Sequence, residues 1–308
     1  MNAETRILEP GQMEAPIGKI RFLFLPGRDL FARLAERLRL LAEGDTLGGY
    51  LAFLAIIADA QHDALKLFPT LALPGHHEQT RCREQRKPLL DIRSLRREPA
   101  WRWGLTMILR KMSEASLPAA ARETVVTLMQ AGESVLEETA DRILAGDLAD
   151  ISPQELPFVA AALQVYWVHM ASSLTEDAFG GLEHGGLCPV CGSYPSVGIV
   201  HSGGAEQGLR YLSCSLCSSQ WHMVRLKCSS CESTHGIDYH ILEGSNGTVK
   251  LESCDNCNFY LKLLYLGKGS QMEAMADDLA TLGLDILMDK KGKTRGGPNL
   301  FFHSGRPL

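Results

Sequence analysis

The sequence predicts an α+β fold, in which an N-terminal all-helical domain precedes two tandem cysteine ribbons and a C-terminal helix. Three observations lead to this prediction. Apolar residues recur with helical periodicity as far as Ala171, eight of the nine cysteines fall between residues 188 and 257, and an amphipathic helical pattern returns after Gly267. We therefore expect a helical domain over 1–180, ribbons over 181–227 and 228–266, and a helix with a tail over 267–308.

The composition is that of an ordinary globular chain. Its 308 residues are 45% hydrophobic and 22% charged, with a formal net charge of -5. This mild charge gives no global attraction to nucleic acid or to an anionic membrane. The N-terminus is acidic rather than basic, and the longest apolar run, Tyr50 to Ala58, is far shorter than the roughly 20 residues of a membrane helix. We expect a soluble, cytoplasmic protein without membrane insertion.

The cysteines form a tandem repeat. Four C-x-x-C pairs are present, and each residue of the first two pairs has its counterpart 40 residues later. Because a C-x-x-C turn presents two sulfurs to one ion, two such turns complete a tetrahedral shell of four sulfurs. The expected ligands are Cys188, Cys191, Cys214 and Cys217 for one ion, and Cys228, Cys231, Cys254 and Cys257 for another.

Other uses of these cysteines remain open but are disfavoured. Redox-active dithiols occur singly beside a helix rather than as repeated pairs. A shared site between Cys214/Cys217 and Cys228/Cys231 would break both 40-residue units. Iron and zinc both suit a thiolate tetrahedron, so each ribbon is expected to be rubredoxin-like or zinc-ribbon-like, with its ion replacing a missing core.

The rest of the chain predicts helices separated by short connections. A polar, partly basic connection is expected between about Phe68 and Glu98, with His76 and His77 in an exposed loop. Two helix starts carry capping signals, Ser134-x-x-Glu137 and Ser152-Pro153-Gln154-Glu155. The expected helices run from Asp29 to Gly44, Leu47 to Leu67, Pro99 to Met112, Pro118 to Met129, Ser134 to Leu144, and Ser152 toward Ala171 as the central core helix.

The ribbons and the C-terminus carry weaker signals. Trp221 to Lys227 resembles a strand joining the ribbons directly. In the second ribbon, strands over Ile237 to Leu242 and Thr248 to Glu252 are expected on either side of a Gly244 to Gly247 turn. Ser270-x-x-Glu273 resembles the capping box of the last helix, and the Gly- and Lys-rich tail from Lys290 is expected to fray.

No catalytic residue is predicted. The sequence contains no nucleophile elbow, Walker loop, Gly-rich dinucleotide turn or HExxH. Cys82 lies between Arg81 and Arg83, which would favour a thiolate, but its role stays open. Trp101 and Trp103 cannot share one helix face, so burial of one at an edge is expected, with exposure at a partner surface as the alternative. We expect a protein that is not an enzyme.

The motifs around the cysteines resemble the formate dehydrogenase accessory protein FdhE family. The resemblance extends into the helical region and to the last helix, so it covers almost the whole chain. The segments that carry it are Cys188–Ser193, Gln207–Leu212, Trp221–His222, Val224–Arg225, Lys227–Ser229, Glu252–Cys254, Ala35–Arg39, Leu47–Leu51, Pro88–Ile92 and Ala276–Ala280.

This resemblance implies a cytoplasmic, chaperone-like maturation factor that binds the catalytic subunit of formate dehydrogenase. It also implies two mononuclear iron sites of the rubredoxin type, so iron is favoured and zinc is the alternative. The partner-binding residues are unknown, although the ribbons, including the loop Ser202 to Gln207, or their cleft with the helices are the expected surface.

In such a maturation factor the metal-thiolate ribbons would be structural or redox-sensing modules. Two other function classes remain. A rubredoxin-like electron carrier would require iron rather than zinc. A nucleic-acid-binding zinc ribbon is disfavoured, because residues 188–266 hold five cations against six acids and the thiolate sites add negative charge.

Overall fold

The computed structural model describes residues 20–148, 151–202, 206–241, 247–267 and 271–302. Its helical region contains seven α-helices within this part of the chain. They are α1 (Leu30–Ala42), α2 (Gly48–Lys66), α3 (His76–Glu84), α4 (Ala100–Glu114), α5 (Ala119–Gln130), α6 (Glu133–Ala145) and α7 (Leu156–Ser172). Among the described helices, none combines the length and apolar character that crossing a bilayer requires.

Helix α7 is the centre of the helical core, as its sequence predicts. It is buried on all sides, including the large side chains Tyr166 and Trp167, which are each 1% exposed. Helices α2, α4 and α6 pack around it. A helix that is apolar on every face is stable only when other elements enclose it, so α7 requires the surrounding helices.

The cysteine region forms one continuous mixed sheet. Its described strands are β1 (Leu23–Phe24), β2 (Pro195–His201), β3 (Arg210–Cys214), β4 (Gln220–His222), β5 (Ile237–His240), β6 (Val249–Cys254), β7 (Phe259–Leu266) and β8 (Thr294–Arg295). The strand order is β1-β4-β3-β2-β7-β6-β5, and β8 also pairs with β7. The architecture is therefore α+β, with cysteine clusters in the sheet region.

The two cysteine units are joined by a parallel pairing that the sequence analysis did not predict. Strand β2 of the first unit pairs with β7, which follows the last cysteine, in the register Gly198↔Leu263. All other pairings on the main path are antiparallel. Gly198 allows β2 to pack closely against β7, because a Cβ at this position would lie 2.5 Å from Leu263 Cδ2.

The helical region holds the first cysteine knuckle through backbone hydrogen bonds. Leu90 N donates to Val190 O at 2.9 Å, and Ile92 N donates to Cys191 O at 3.0 Å. Trp167 Nε1 of α7 in turn donates to Leu90 O at 3.0 Å. The core helix, the connection and the knuckle therefore form one hydrogen-bonded chain. Strand β1, from the N-terminal region, adds a further link by pairing with β4.

Several local predictions for the helical region were wrong. The connection after Phe68 contains helix α3, which begins at His76, so the two histidines do not form a loop. Helix α6 begins at Glu133 after Gly132, so Ser134 is inside the helix and caps nothing. Helix α7 begins at Leu156, because Ser152 and the residues after it form a preceding turn.

The C-terminal predictions also need correction. Strand β4 ends at His222, so Trp221 to Lys227 is not one continuous strand. The last helix is two helices, α8 (Ala274–Leu279) and α9 (Leu282–Lys290). Glu273 caps α8 by accepting hydrogen bonds from Met275 N and Ala276 N. Ser270, the Gly244 to Asn246 part of the expected turn, and residues 203–205 lie outside the described residues.

Residues 291–302 of the tail pack against the sheet, contrary to the expectation of fraying. Strand β8 pairs with β7, and Phe301 is 1% exposed. Gly296 and Gly297 permit this packing. A Cβ at Gly296 would lie 1.9 Å from the Phe259 ring, and one at Gly297 would lie 2.1 Å from Pro195 O.

Candidate metal centres

Four similar knuckles present the cysteines. In each, the residue directly after the second cysteine has a positive φ: Gly192 at 78°, Ser218 at 57°, Glu232 at 59° and Asn258 at 57°. In the first knuckle, Gly192 N donates to Cys188 O at 2.8 Å, and in the third, Glu232 N donates to Cys228 O at 3.1 Å. Non-glycine residues at positive φ carry backbone strain, so three of these turns depend on the surrounding structure to hold their shape.

The first cluster contains Cys188, Cys191, Cys214 and Cys217. Their sulfur atoms all lie within 4.8 Å of one another, and all four residues are buried. Cys188 Sγ is 3.6 Å from Cys217 Sγ, and Cys191 Sγ is 3.4 Å from Cys214 Sγ. An ion bound at about 2.3 Å by four sulfurs would separate those sulfurs by about 3.8 Å, so this cluster has nearly the dimensions of a tetrahedral thiolate site.

Backbone amides support the first cluster. Leu216 N and Cys217 N each donate to Cys214 Sγ at 3.4 Å. Cys217 Sγ lies 3.2 Å from Ser219 Oγ. The two amide donors favour the thiolate form that binds metal, whereas burial raises the pKa of both Cys188 and Cys214. Four buried thiolates without a cation would repel one another strongly, so the donor set fits a divalent or trivalent ion.

The second cluster contains Cys228, Cys231, Cys254 and Cys257, with sulfurs again within 4.8 Å. Cys228 Sγ lies 3.7 Å from Cys257 Sγ, and Cys231 Sγ lies 3.7 Å from Cys254 Sγ. Ser230 N donates to Cys228 Sγ at 3.3 Å. The amide of Asn256 donates to Cys231 Sγ at 3.4 Å and lowers the pKa of this exposed thiol to about 6. These sulfurs also fit a tetrahedral site.

The two clusters differ in their access to solvent. Every cysteine of the first is buried, whereas Cys231 of the second is exposed and Cys257 is half-buried. All nine cysteines of the chain are free, so no disulfide competes with metal binding. Among the described residues, the grouping is that of the 40-residue period, with no cluster across the two units. Metal occupancy itself stays a prediction.

A buried ion pair connects the two units. Arg210 Nη1 of β3 donates to both carboxylate oxygens of Glu252 of β6 at 2.7 Å, and the side chains are 1% and 4% exposed. Arg210 Nη2 also donates to Val224 O and Lys227 O at 2.7 Å, in the segment between the units. Tyr239 OH donates to Glu252 at 2.9 Å. Sequence reasoning counted these charges but had no signal that they face inward.

A second buried network holds the C-terminal elements against the sheet. Lys262 Nζ of β7 lies 2.9 Å from Asp278 Oδ1, and both side chains are 1% exposed or less. Asn299 Nδ2 donates to the same carboxylate at 2.8 Å, while Arg295 Nη1 and Tyr260 OH donate to Asp285 at 2.9 and 2.8 Å. These contacts explain why the tail is ordered.

The structure also shows the surroundings of three other residues that the sequence singled out, Cys82, Trp101 and Trp103. Burial, followed by the charge of Glu78, raises the pKa of the Cys82 thiol, so the expected thiolate is not favoured. Trp101 is fully buried and donates to Glu137 at 2.9 Å, whereas Trp103 is partly buried against Phe68. Each tryptophan therefore has a packing role.

A cleft of about 1000 Å³ lies between the helical region and both clusters. One wall is the connection Ile92–Arg97 with α6. The opposite walls are knuckle residues of both units, among them Leu216 and Cys257, and the segment Thr294–Pro298. The sequence could not reveal this cleft, because its walls come from several separate parts of the chain.

The fold and the clusters define a class of protein: an α+β protein in which a helical domain supports a sheet with two four-cysteine clusters. Three parts of one family match the chain. The part described as "FdhE, N-terminal" matches residues 20–181, "FdhE, central domain" matches 187–225, and "FdhE, C-terminal domain" matches 226–302.

Individual proteins agree with this match. A protein FdhE homolog of Enterobacter sp. (strain 638) is 43% identical over 92% of this chain and 91% of its own length. Protein FdhE of Salmonella paratyphi B is 42% identical over the same shares. The crystal structure of the FdhE protein from Pseudomonas aeruginosa superposes with a TM-score of 0.84 at 38% identity, covering 93% of this chain and 100% of that one. The chain belongs to the FdhE family of formate dehydrogenase accessory proteins.

Proposed function

We propose that this protein is a non-catalytic maturation factor that binds the catalytic subunit of formate dehydrogenase in the cytoplasm. The observation that carries the proposal is the family match over nearly all of residues 20–302, from the helical region through both cysteine units. The proposal extends this membership to a binding activity and a named partner.

The cysteine clusters support a structural role for the metal. Each would hold one ion through four protein sulfurs, which leaves no coordination position for a substrate. Cys188, Cys191, Cys214 and Cys217 would hold the first ion, and Cys228, Cys231, Cys254 and Cys257 the second. The ion would supply the positive charge that keeps the thiolates together. We favour iron, with zinc as the alternative.

Contacts within the protein would hold its parts in a fixed arrangement for binding the catalytic subunit. The hydrogen bonds of Leu90 and Ile92 to the first knuckle fix the ribbons relative to the helical region. The Arg210–Glu252 pair fixes the second unit relative to the first. A rigid frame of this kind presents a surface to a partner at low entropic cost.

Deletion of the gene and co-purification test the proposal together. In a deletion strain the formate dehydrogenase subunits should accumulate but remain inactive, and the tagged protein should retain the catalytic subunit. A formate dehydrogenase that stays fully active without this protein would overturn the maturation role.

An electron carrier is the alternative for which a specific observation exists, because the second cluster is solvent-accessible. Iron with reversible one-electron reduction would be required. A colourless, zinc-containing protein that still supports formate dehydrogenase activity would exclude this alternative.

A further inference from the structure

The cleft between the connection Ile92–Arg97 and the cysteine knuckles carries an excess of positive charge. Arg93 and Arg96 line it, are exposed, and have no carboxylate at ion-pair distance among the described residues. The deeper Arg97 is different. It pairs with Glu137 and Asp141, and its side chain is only 8% exposed.

The other charged residues that line the cleft all have partners. Arg97 pairs with Glu137 and Asp141, which also line it. On the opposite side, Arg295 pairs with Asp278 and Asp285, which do not line the cleft. The surplus is therefore the two cations Arg93 and Arg96, together with the Nε of Arg97, a buried donor without a hydrogen-bond partner in the described residues.

The backbone of one wall is suited to an extended chain. Thr294 N donates to Asn258 O and Gly296 N donates to Tyr260 O, so both face β7. Because successive residues of a strand alternate, the N–H and C=O of Arg295 face away from β7. Strand β8 pairs with β7 alone among the described strands, so the single N–H and C=O of Arg295 have no strand partner and could pair with an added chain.

The size of the cleft also favours a chain segment over a single ion. A volume of about 1000 Å³ is at the upper end for a small-molecule site and accommodates several amino-acid residues.

We propose that this cleft binds an extended, acidic segment of the client protein, with Arg93 and Arg96 pairing with its carboxylates and β8 with its backbone. The proposal rests on the proposed function, because the client is the catalytic subunit. It adds the site and the chemical class of the recognised segment. A bound segment would also cover Cys257, which lines the cleft, and would shield the second cluster from solvent.

The test uses the full, metal-loaded chain and two charge-matched variants. Arg93→Glu/Arg96→Glu reverses the cleft charges. Arg28→Glu/Arg110→Glu reverses two exposed arginines that do not line the cleft, and changes the net charge equally. The probes are the purified catalytic subunit and labelled overlapping peptides that cover its sequence. Binding is measured by fluorescence anisotropy, and hydrogen–deuterium exchange locates the contact.

We expect acidic peptides to bind the wild-type chain and the Arg28/Arg110 control with equal affinity. Their affinity for the Arg93/Arg96 variant should be at least about tenfold weaker. Amide protection should appear in segments 92–97 and 294–298. Equal binding of the subunit by all three proteins would overturn the cleft assignment alone. No binding of the subunit to the wild-type chain would overturn the proposed function as well. Tighter binding of a single-stranded oligonucleotide at the same arginines would overturn the acidic-peptide assignment.

Discussion

Arg210 and Glu252 form an ion pair across the sheet, although their strands are separated by β2 and β7. Both side chains are almost fully buried, and Arg210 also binds the carbonyls of Val224 and Lys227 between the two cysteine units. The pair therefore sets the position of the second unit relative to the first.

Loss of one partner of this pair should be strongly destabilising. We expect Arg210→Met to lower the free energy of unfolding by about 3–5 kcal/mol, because Glu252 is then left charged and buried without its partner. The double variant Arg210→Met/Glu252→Met should lose less than the sum of the two single variants. Denaturant unfolding followed by circular dichroism measures both quantities.

An exposed pair provides the control. Lys111 and Asp63 are 49% and 44% exposed, so Lys111→Met should change stability by less than about 1 kcal/mol. An Arg210→Met variant as stable as Lys111→Met would show that the buried pair does not connect the units energetically.

The two metal sites should differ in their exchange rates. The first cluster is buried, whereas Cys231 and Cys257 expose the second to solvent. We expect a chelator to remove the metal in two phases, with the second site emptied at least about tenfold faster, because solvent access controls attack on the ligands. Stopped-flow absorbance with a chromogenic chelator measures the phases.

Matched variants assign the two phases. Cys228→Ser/Cys231→Ser should remove the fast phase, and Cys188→Ser/Cys191→Ser should remove the slow phase. A single phase that accounts for both ions in the wild-type chain would contradict the difference in access.

The N-cap of α8 should make stability depend on pH. Burial, together with the neighbouring charge of Asp277, raises the pKa of Glu273 to about 7. The folded state then binds more protons than the unfolded state above the ordinary glutamate pKa of about 4.3. The raised pKa of Glu273 therefore makes the free energy of unfolding depend on pH. Its contribution is complete below a pH of about 4.3 and is lost as the pH rises through about 7, by up to about 3 kcal/mol.

Glu273→Gln isolates this effect, because an amide oxygen can still accept from Met275 N and Ala276 N. The difference in unfolding free energy between wild type and variant, measured from pH 5 to pH 8, should shift in favour of the variant as the pH rises. A constant difference across this range would contradict the raised pKa.

The repeat in the sequence predicted the grouping of the cysteines, and the apolar character of α7 predicted that this helix is central. Both features are local patterns. The pairing of β7 with β2 was missed, because it joins residues such as Gly198 and Leu263 that are far apart in the chain. No local signal marks such a partner.

Charge and glycine content misled the sequence analysis at two places. The residue types of Arg210 and Glu252 do not distinguish them from exposed charged residues. Only the arrangement of the strands in the sheet brings the two side chains together. The tail was expected to fray because it is rich in glycine. Gly296 and Gly297 instead allow close packing against Phe259 and Pro195, and that requirement depends on tertiary structure.

The metal content of the purified chain is the most direct test of the central claim that each four-cysteine cluster holds one ion. Elemental analysis, with the visible absorption spectrum recorded on protein purified without oxygen or added metal, should give two ions per chain. Each of the two double cysteine-to-serine variants should retain one ion and its folded helical region. Two ions in a double variant, one ion shared in the wild type, or disulfides in place of metal would contradict the account.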